Sequence, residues 1–133
     1  MNNNTVFRVK ENDLVLNVTK DVNSEVWDES KYYSFIDELV GSRDYQREAI
    51  LTALRFMCSG EYSNIKDLAQ KNYESNESLR NAYTTFENYQ SKISFNNSFN
   101  SSIDLATGTG KSWVMYGTAA IMLSEKVVDQ VLV

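Results

Sequence analysis

Apolar residues recur along this chain with two periods. Near the start, Val6-Phe7-Arg8-Val9-Lys10 and Leu14-Val15-Leu16-Asn17-Val18 are short β-forming runs separated by Glu11-Asn12-Asp13, which has turn chemistry. The pattern predicts a β-hairpin. Residues 21–31 are polar and read as a connector. Tyr32 to Val40 reads as a short helix stopped by Gly41. Ser42 or Asp44 offers a cap for a second helix, in which Ala49, Ile50, Ala53, Leu54 and Met57 share one face; Gly60 ends it.

From Ser63 to about Ile93 the chain turns polar, charged and Asn-rich, with no β-branched runs. Leu79, Ala82, Tyr83, Phe86, Tyr89, Gln90 and Ile93 still trace a helical stripe, and Ile65, Leu68 and Ala69 begin another. The stretch reads as one helical hairpin or as a long broken helix. Phe95 to Ser102 is a polar loop. Ile103 to Leu105 is predicted to be a short buried parallel strand. Lys111 to about Leu123 is predicted to be a helix, with Val114, Met115, Ala119, Ile121 and Met122 available for packing. Val127-Val128 and Val131-Leu132-Val133 look like the beginning of a second parallel strand. No internal repeat is present.

Composition narrows the function classes. A chain of 133 residues, 42% of them hydrophobic, holds one domain's worth of core at most. No run of about 18 apolar residues marks a membrane span, and Met1-Asn2-Asn3-Asn4-Thr5 has neither the basic start nor the apolar segment of a secretory signal. A cytoplasmic location is the default. Cys58 is the single cysteine, so no internal disulfide forms, and it reads as a core thiol. Histidine is absent, which removes the commonest general base and metal ligand. A net charge of −5 with scattered Lys and Arg argues against this segment gripping nucleic acid by bulk electrostatics.

The stretch with the most chemistry is Ile103-Asp104-Leu105-Ala106-Thr107-Gly108-Thr109-Gly110-Lys111-Ser112. An apolar strand end, a glycine-bearing loop and a helix opening with Lys-Ser form the arrangement that cradles a nucleoside triphosphate. Gly108 and Gly110 let backbone N–H groups approach phosphate oxygens, and Thr107 and Thr109 line the loop. Lys111 supplies a point charge to the β- and γ-phosphates, and Ser112 offers its hydroxyl to the Mg²⁺ carried by ATP. The general pattern G-x-x-x-x-G-K-[ST] has Leu105 at its first glycine position.

Leu-Ala-Thr-Gly-Thr-Gly-Lys-Ser at 105–112 resembles motif I of superfamily 2 helicases of the DEAD/DEAH-like kind. It is most similar to the branch holding the helicase subunits of type I and type III restriction enzymes and the UvrB-like helicases. In that branch an apolar residue commonly replaces the first glycine. Arg43-Asp44-Tyr45-Gln46-Arg47-Glu48-Ala49-Ile50 resembles the Tyr-Gln-x-x-Ala-Ile segment upstream of motif I in the same proteins. The resemblance implies that the Gln46 amide reads the N6/N7 edge of adenine and that Arg43 or Tyr45 stacks on the base. Taken alone, Gln46 would be an exposed glutamine at a helix start.

The resemblance implies an α/β fold: an incomplete RecA-like P-loop NTPase domain, the start of a parallel sheet, preceded by a β-hairpin and carrying a helical insertion. On that reading residues 1–40 hold the hairpin and a helix, and residues 41–133 open the ATP-binding domain, with a polar insertion at about 61–102. Gln46 and Lys111 lie farther apart than is usual in the family, and the insertion makes up the excess.

The acidic pair and arginine finger needed for hydrolysis have no counterpart after Lys111, where the acids are Glu125 and Asp129. Asp28-Glu29 and Asp37-Glu38 precede the loop and read as solvated charge. The chain is therefore expected to be the ATP-binding portion of a DNA-dependent ATPase, helicase or translocase of restriction-modification or phage defence. It would bind ATP through Lys111 and its loop without hydrolysing it alone. DNA would be engaged through other parts of the parent, with modification or specificity subunits as further partners and no membrane involved. With so little of a parallel sheet present, the isolated chain is expected to be aggregation-prone. Two rival readings are a stand-alone nucleotide-binding regulatory or interaction module and a small-molecule kinase of another P-loop class.

Overall fold

Helices in this chain start where short polar side chains satisfy the first backbone N–H groups. The structure is a computed structural model and describes residues 9–92 and 110–132. Asp28 Oδ1 accepts a hydrogen bond from the Ser30 amide at 3.1 Å, opening a 3-10 turn, Glu29–Tyr32, that runs directly into α1, Tyr33–Val40. Gly41, at φ 61°, ends α1, and its N–H donates to the Asp37 carbonyl at 2.9 Å. The second helix, α2, spans Asp44–Cys58 and has Arg43 at its N-cap, with no side-chain cap. Asp44 lies instead in the first turn, where its charge complements the positive end of the helix.

Asn64 accepts from the Asp67 amide at 2.9 Å and opens α3, Ile65–Ser75. Asn76 accepts from the Leu79 amide at 3.2 Å and opens α4, Glu77–Ala82. Two further helices follow, α5 at Phe86–Lys92 and α6 at Lys111–Ser124.

The chain divides into two compact units. In one, residues 18–62 and 110–132, helices α1, α2 and α6 enclose Trp27, Ile36, Ile50, Leu54, Val114 and Ile121. The expected stripe of α2 supplies Ile50, Ala53 and Leu54, but Leu51 and Phe56 are buried too, so α2 is covered on more than one side. At Gly117, α6 packs tightly against its neighbours. A Cβ there would stand 2.8 Å from Leu39 Cδ2 and 3.0 Å from Ile50 Cδ1.

Two effects oppose each other at Gly117. Alanine gains about 1 kcal/mol of helix propensity, whereas overpacking costs about 1–3 kcal/mol. The atoms in the way are side-chain ends that can shift, so Gly117→Ala is expected to leave the thermal midpoint nearly unchanged. Gly117→Val adds bulk the crossing cannot absorb and is expected to lower it. Equal midpoints for the two variants in a thermal melt would refute this close crossing.

In the other unit, residues 9–17 and 63–92, Ala69, Tyr73, Leu79 and Tyr89 form a buried cluster. Tyr73 stacks on Tyr89 with ring centroids 5.6 Å apart, and Phe86 and Tyr83 pack at tilted angles around them. The polar stretch is thus three short helices held by aromatic packing, not a hairpin of two.

The described residues are 64% helical and contain no strand, which overturns the expected α/β fold with its parallel sheet and preceding β-hairpin. Val6 to Arg8 of the hairpin and the expected strand Ile103 to Leu105 lie outside the described residues. Where the hairpin turn was expected, Glu11–Leu14 winds into a 3-10 turn, with Asp13 Oδ2 accepting from the Lys10 amide at 2.8 Å. At Asn17, in the expected second strand, the backbone N–H and C=O pair with the Asn72 side chain, at 2.7 and 3.0 Å. A single carboxamide thereby takes the place of a neighbouring strand.

At the other end, α6 closes on itself. Lys126 adopts φ 58°, and the Val127 and Glu125 amides donate to the Met122 and Ile121 carbonyls at 3.0 and 2.9 Å. Residues 128–132 then run on with no strand neighbour among the described residues, and without a ladder there is no strand. The face of α6 carrying Met115 and Tyr116 is exposed, contrary to the packing expected of Met115. With Ala119, Leu123 and Leu132 it lines a groove of about 590 Å³. No helix among the described residues is long and apolar enough to cross a membrane.

Candidate functional site

The two sequence segments singled out for nucleotide chemistry begin α2 and α6. Their first turns touch. A Cβ placed on Gly110 would collide with Gln46 Nε2 and stand 3.3 Å from Gln46 Cδ. About two turns further along α6 and one turn further along α2, Gly117 meets Ile50, so the two helices run in the same sense with their N-termini at one end. Glycine is required at position 110 on two counts: the Gln46 amide fills the space, and the backbone is left-handed, at φ 80° and ψ 40°.

The two N-termini differ in charge. Asp44 sits in the first turn of α2, while the first turn of α6 has no acidic residue, and Gly110 provides no side-chain cap. The positive end of the α6 dipole is therefore not neutralised by a side chain of its own first turn, which favours an anion there, although the Trp113 N–H already donates to the Gly110 carbonyl at 3.1 Å. Lys111 and Ser112 are exposed there, and Lys111 forms no ion pair among the described residues. Trp113 is 49% exposed, with Cδ1 3.2 Å from the Cβ position of Gly110.

On α2, Arg43 is exposed and Tyr45 is 47% exposed, whereas Gln46 is fully buried. The structure thus brings Gln46, Gly110, Lys111 and Ser112 to one place; Thr107, Gly108 and Thr109 lie outside the described residues. No group of three or more acidic, Cys or His side chains among the described residues is arranged to hold a metal ion.

Charge pairing that sequence reasoning missed anchors this platform. Arg55, a charged residue among the apolar positions of α2, has only 7% of its side chain exposed. Its Nε and Nη2 each donate to Glu29 at 2.8 Å, and the Tyr33 hydroxyl donates to the same carboxylate at 2.7 Å. The Arg55 hydrogen bonds hold the Glu29 carboxyl below the usual carboxylate range, against its own desolvation. Arg47, the residue after Gln46, pairs with Asp37 and lies over the Tyr33 ring, 4.8 Å from its centroid. Glu29 is therefore a largely buried structural anchor and not the solvated charge expected of it, whereas Asp37, paired with Arg47, remains exposed as expected. The mid-helix Arg among apolar residues was the available signal.

At the far end of α6, Glu125 accepts from the Tyr32 hydroxyl and pairs with Lys31 at 2.5 Å. Lys31 in turn lies over the Trp27 and Tyr32 rings. This clasp lowers the Glu125 pKa, mainly through the Lys31 bond, and occupies one of the two acids that follow Lys111.

Cys58 packs against the core, and burial raises its thiol pKa to about 11. With so little thiolate present near pH 8, alkylation of the folded protein is expected to run on the order of 100-fold slower than that of the unfolded chain. Iodoacetamide labelling with and without denaturant measures this, and equal rates would contradict it.

Comparisons with protein-family models, with curated proteins and with solved structures find no match.

Proposed function

We propose that this chain binds ATP with Mg²⁺ at the N-terminal end of α6, as the nucleotide-binding portion of a cytoplasmic DNA-dependent ATPase of the helicase or translocase kind. The observation that carries the reading is the contact between Gln46 and Gly110. The two segments that resemble restriction-type helicases are far apart in sequence, yet they meet at their key residues.

The chemistry follows from the side chains in place. Lys111 supplies a positive charge to the outer phosphates, and the backbone N–H groups of Lys111 and Ser112 donate to phosphate oxygens. Ser112 contributes its hydroxyl to the cation, and Tyr45 offers a partly exposed ring on which the base can stack. Bound Mg²⁺ would neutralise phosphate charge.

Isothermal titration calorimetry of the 133-residue chain with ATP and Mg²⁺ tests the proposal. One saturable site is expected. Heats no larger than dilution, at concentrations up to millimolar, would refute it.

A further inference from the structure

We propose that Gln46 is a positioning residue for the phosphate end of this site and not a reader of the base. The inference rests on the ATP-binding reading above and changes the role which the sequence resemblance assigns to Gln46.

An amide that reads a purine edge must present its donor and acceptor to an open face. Gln46 is 0% exposed, and its amide lies against the backbone of Gly110. That backbone needs holding. Gly110 sits in the left-handed region at the N-cap of α6, with no side-chain cap of its own. Gln46 and Trp113 together occupy the space beside its Cα where a side chain would stand.

Gln46 itself is fixed. Its N–H donates to the Arg43 carbonyl at 3.0 Å, and the neighbouring Arg47 is tied to Asp37 and Tyr33. A buried amide on a rigid helix thus sets the conformation of Gly110. Through Gly110 it sets the direction of the Lys111 and Ser112 N–H groups that meet phosphate. This role acts on any triphosphate, whatever base it carries.

The test is calorimetric titration of wild-type protein and Gln46→Ala with three probes: inorganic tripolyphosphate, ATP and GTP, each with Mg²⁺. Loss of the amide is expected to weaken all three by a common factor of about fivefold or more, leaving the ATP-to-GTP ratio as in wild type. Unchanged tripolyphosphate affinity together with a lost preference for ATP would overturn the proposal and restore base reading.

Ile50→Val, one turn along the same face, loosens packing without touching Gly110. It is expected to lower the melting temperature but to keep tripolyphosphate affinity. A loss equal to that of Gln46→Ala would mean that Gln46 acts only through general packing, and would overturn the proposal. Should Gln46→Ala not fold, the near-isosteric Gln46→Glu serves: its carboxylate at the start of α6 is expected to weaken tripolyphosphate binding, and wild-type affinity would refute the role. Failure of the wild-type chain to bind either ATP or tripolyphosphate would instead remove the underlying binding reading, an outcome distinct from all the others.

Discussion

Lys111→Ala is expected to reduce ATP affinity by at least about tenfold, because a charge-assisted hydrogen bond to phosphate contributes about 1.5–3 kcal/mol. Lys111 is exposed at the first turn of α6 and forms no ion pair among the described residues, so its removal leaves the fold undisturbed. The readout is built into the chain. Trp113 is half-exposed two residues away, while the second tryptophan, Trp27, is 3% exposed and gives a constant background. Tryptophan fluorescence against ATP concentration should saturate for wild type and shift to much higher concentration for the variant. Superimposable curves would remove Lys111 from the site.

The second large effect concerns stability. Arg55→Met leaves the Glu29 carboxylate, 14% exposed in its side chain, without its cation, and breaking such a buried pair costs about 3–5 kcal/mol. Replacing Glu29 as well with an apolar residue is expected to restore much of the loss, since a well-packed apolar pair avoids the desolvation penalty. Urea midpoints of the single and double variants measure both. A loss under about 1 kcal/mol for Arg55→Met would place the pair with exposed salt bridges.

The pH dependence has a definite sign. The folded-state pKa of Glu29 is depressed below its ordinary 4.5, so the stability it contributes is present above that value and lost as pH falls through the depressed folded value. Wild-type stability should therefore decline on acidification, and Glu29→Gln should flatten that decline.

The helices were readable in the sequence where periodicity and caps agreed. The 3.6-residue pattern and Gly60 marked α2, and the helix expected from Lys111 to about Leu123 is α6, Lys111–Ser124. The β-forming composition of Leu14 to Val18 pointed the wrong way because strands need partners that local composition does not supply. Here the Asn17 backbone pairs with the side chain of Asn72, a contact between residues far apart in sequence.

Val127 and Val128 misled for a related reason. The chain reverses at Lys126 to close the carbonyls of α6. Glu29 looked like surface charge because its partner, Arg55, is far away in sequence, on α2. For the candidate site, Lys111 and Ser112 could be placed from the motif alone. The burial of Gln46 against Gly110 could not, since it depends on how α2 and α6 cross.

The most direct measurement is an NMR titration of the ¹⁵N-labelled chain with ATP and Mg²⁺, following backbone amides residue by residue. The expected result is a saturable shift centred on Gly110, Lys111, Ser112 and Trp113, with the α5 amides from Phe86 to Lys92 unmoved. Shifts confined to other helices, or none at saturating nucleotide, would contradict binding at the start of α6.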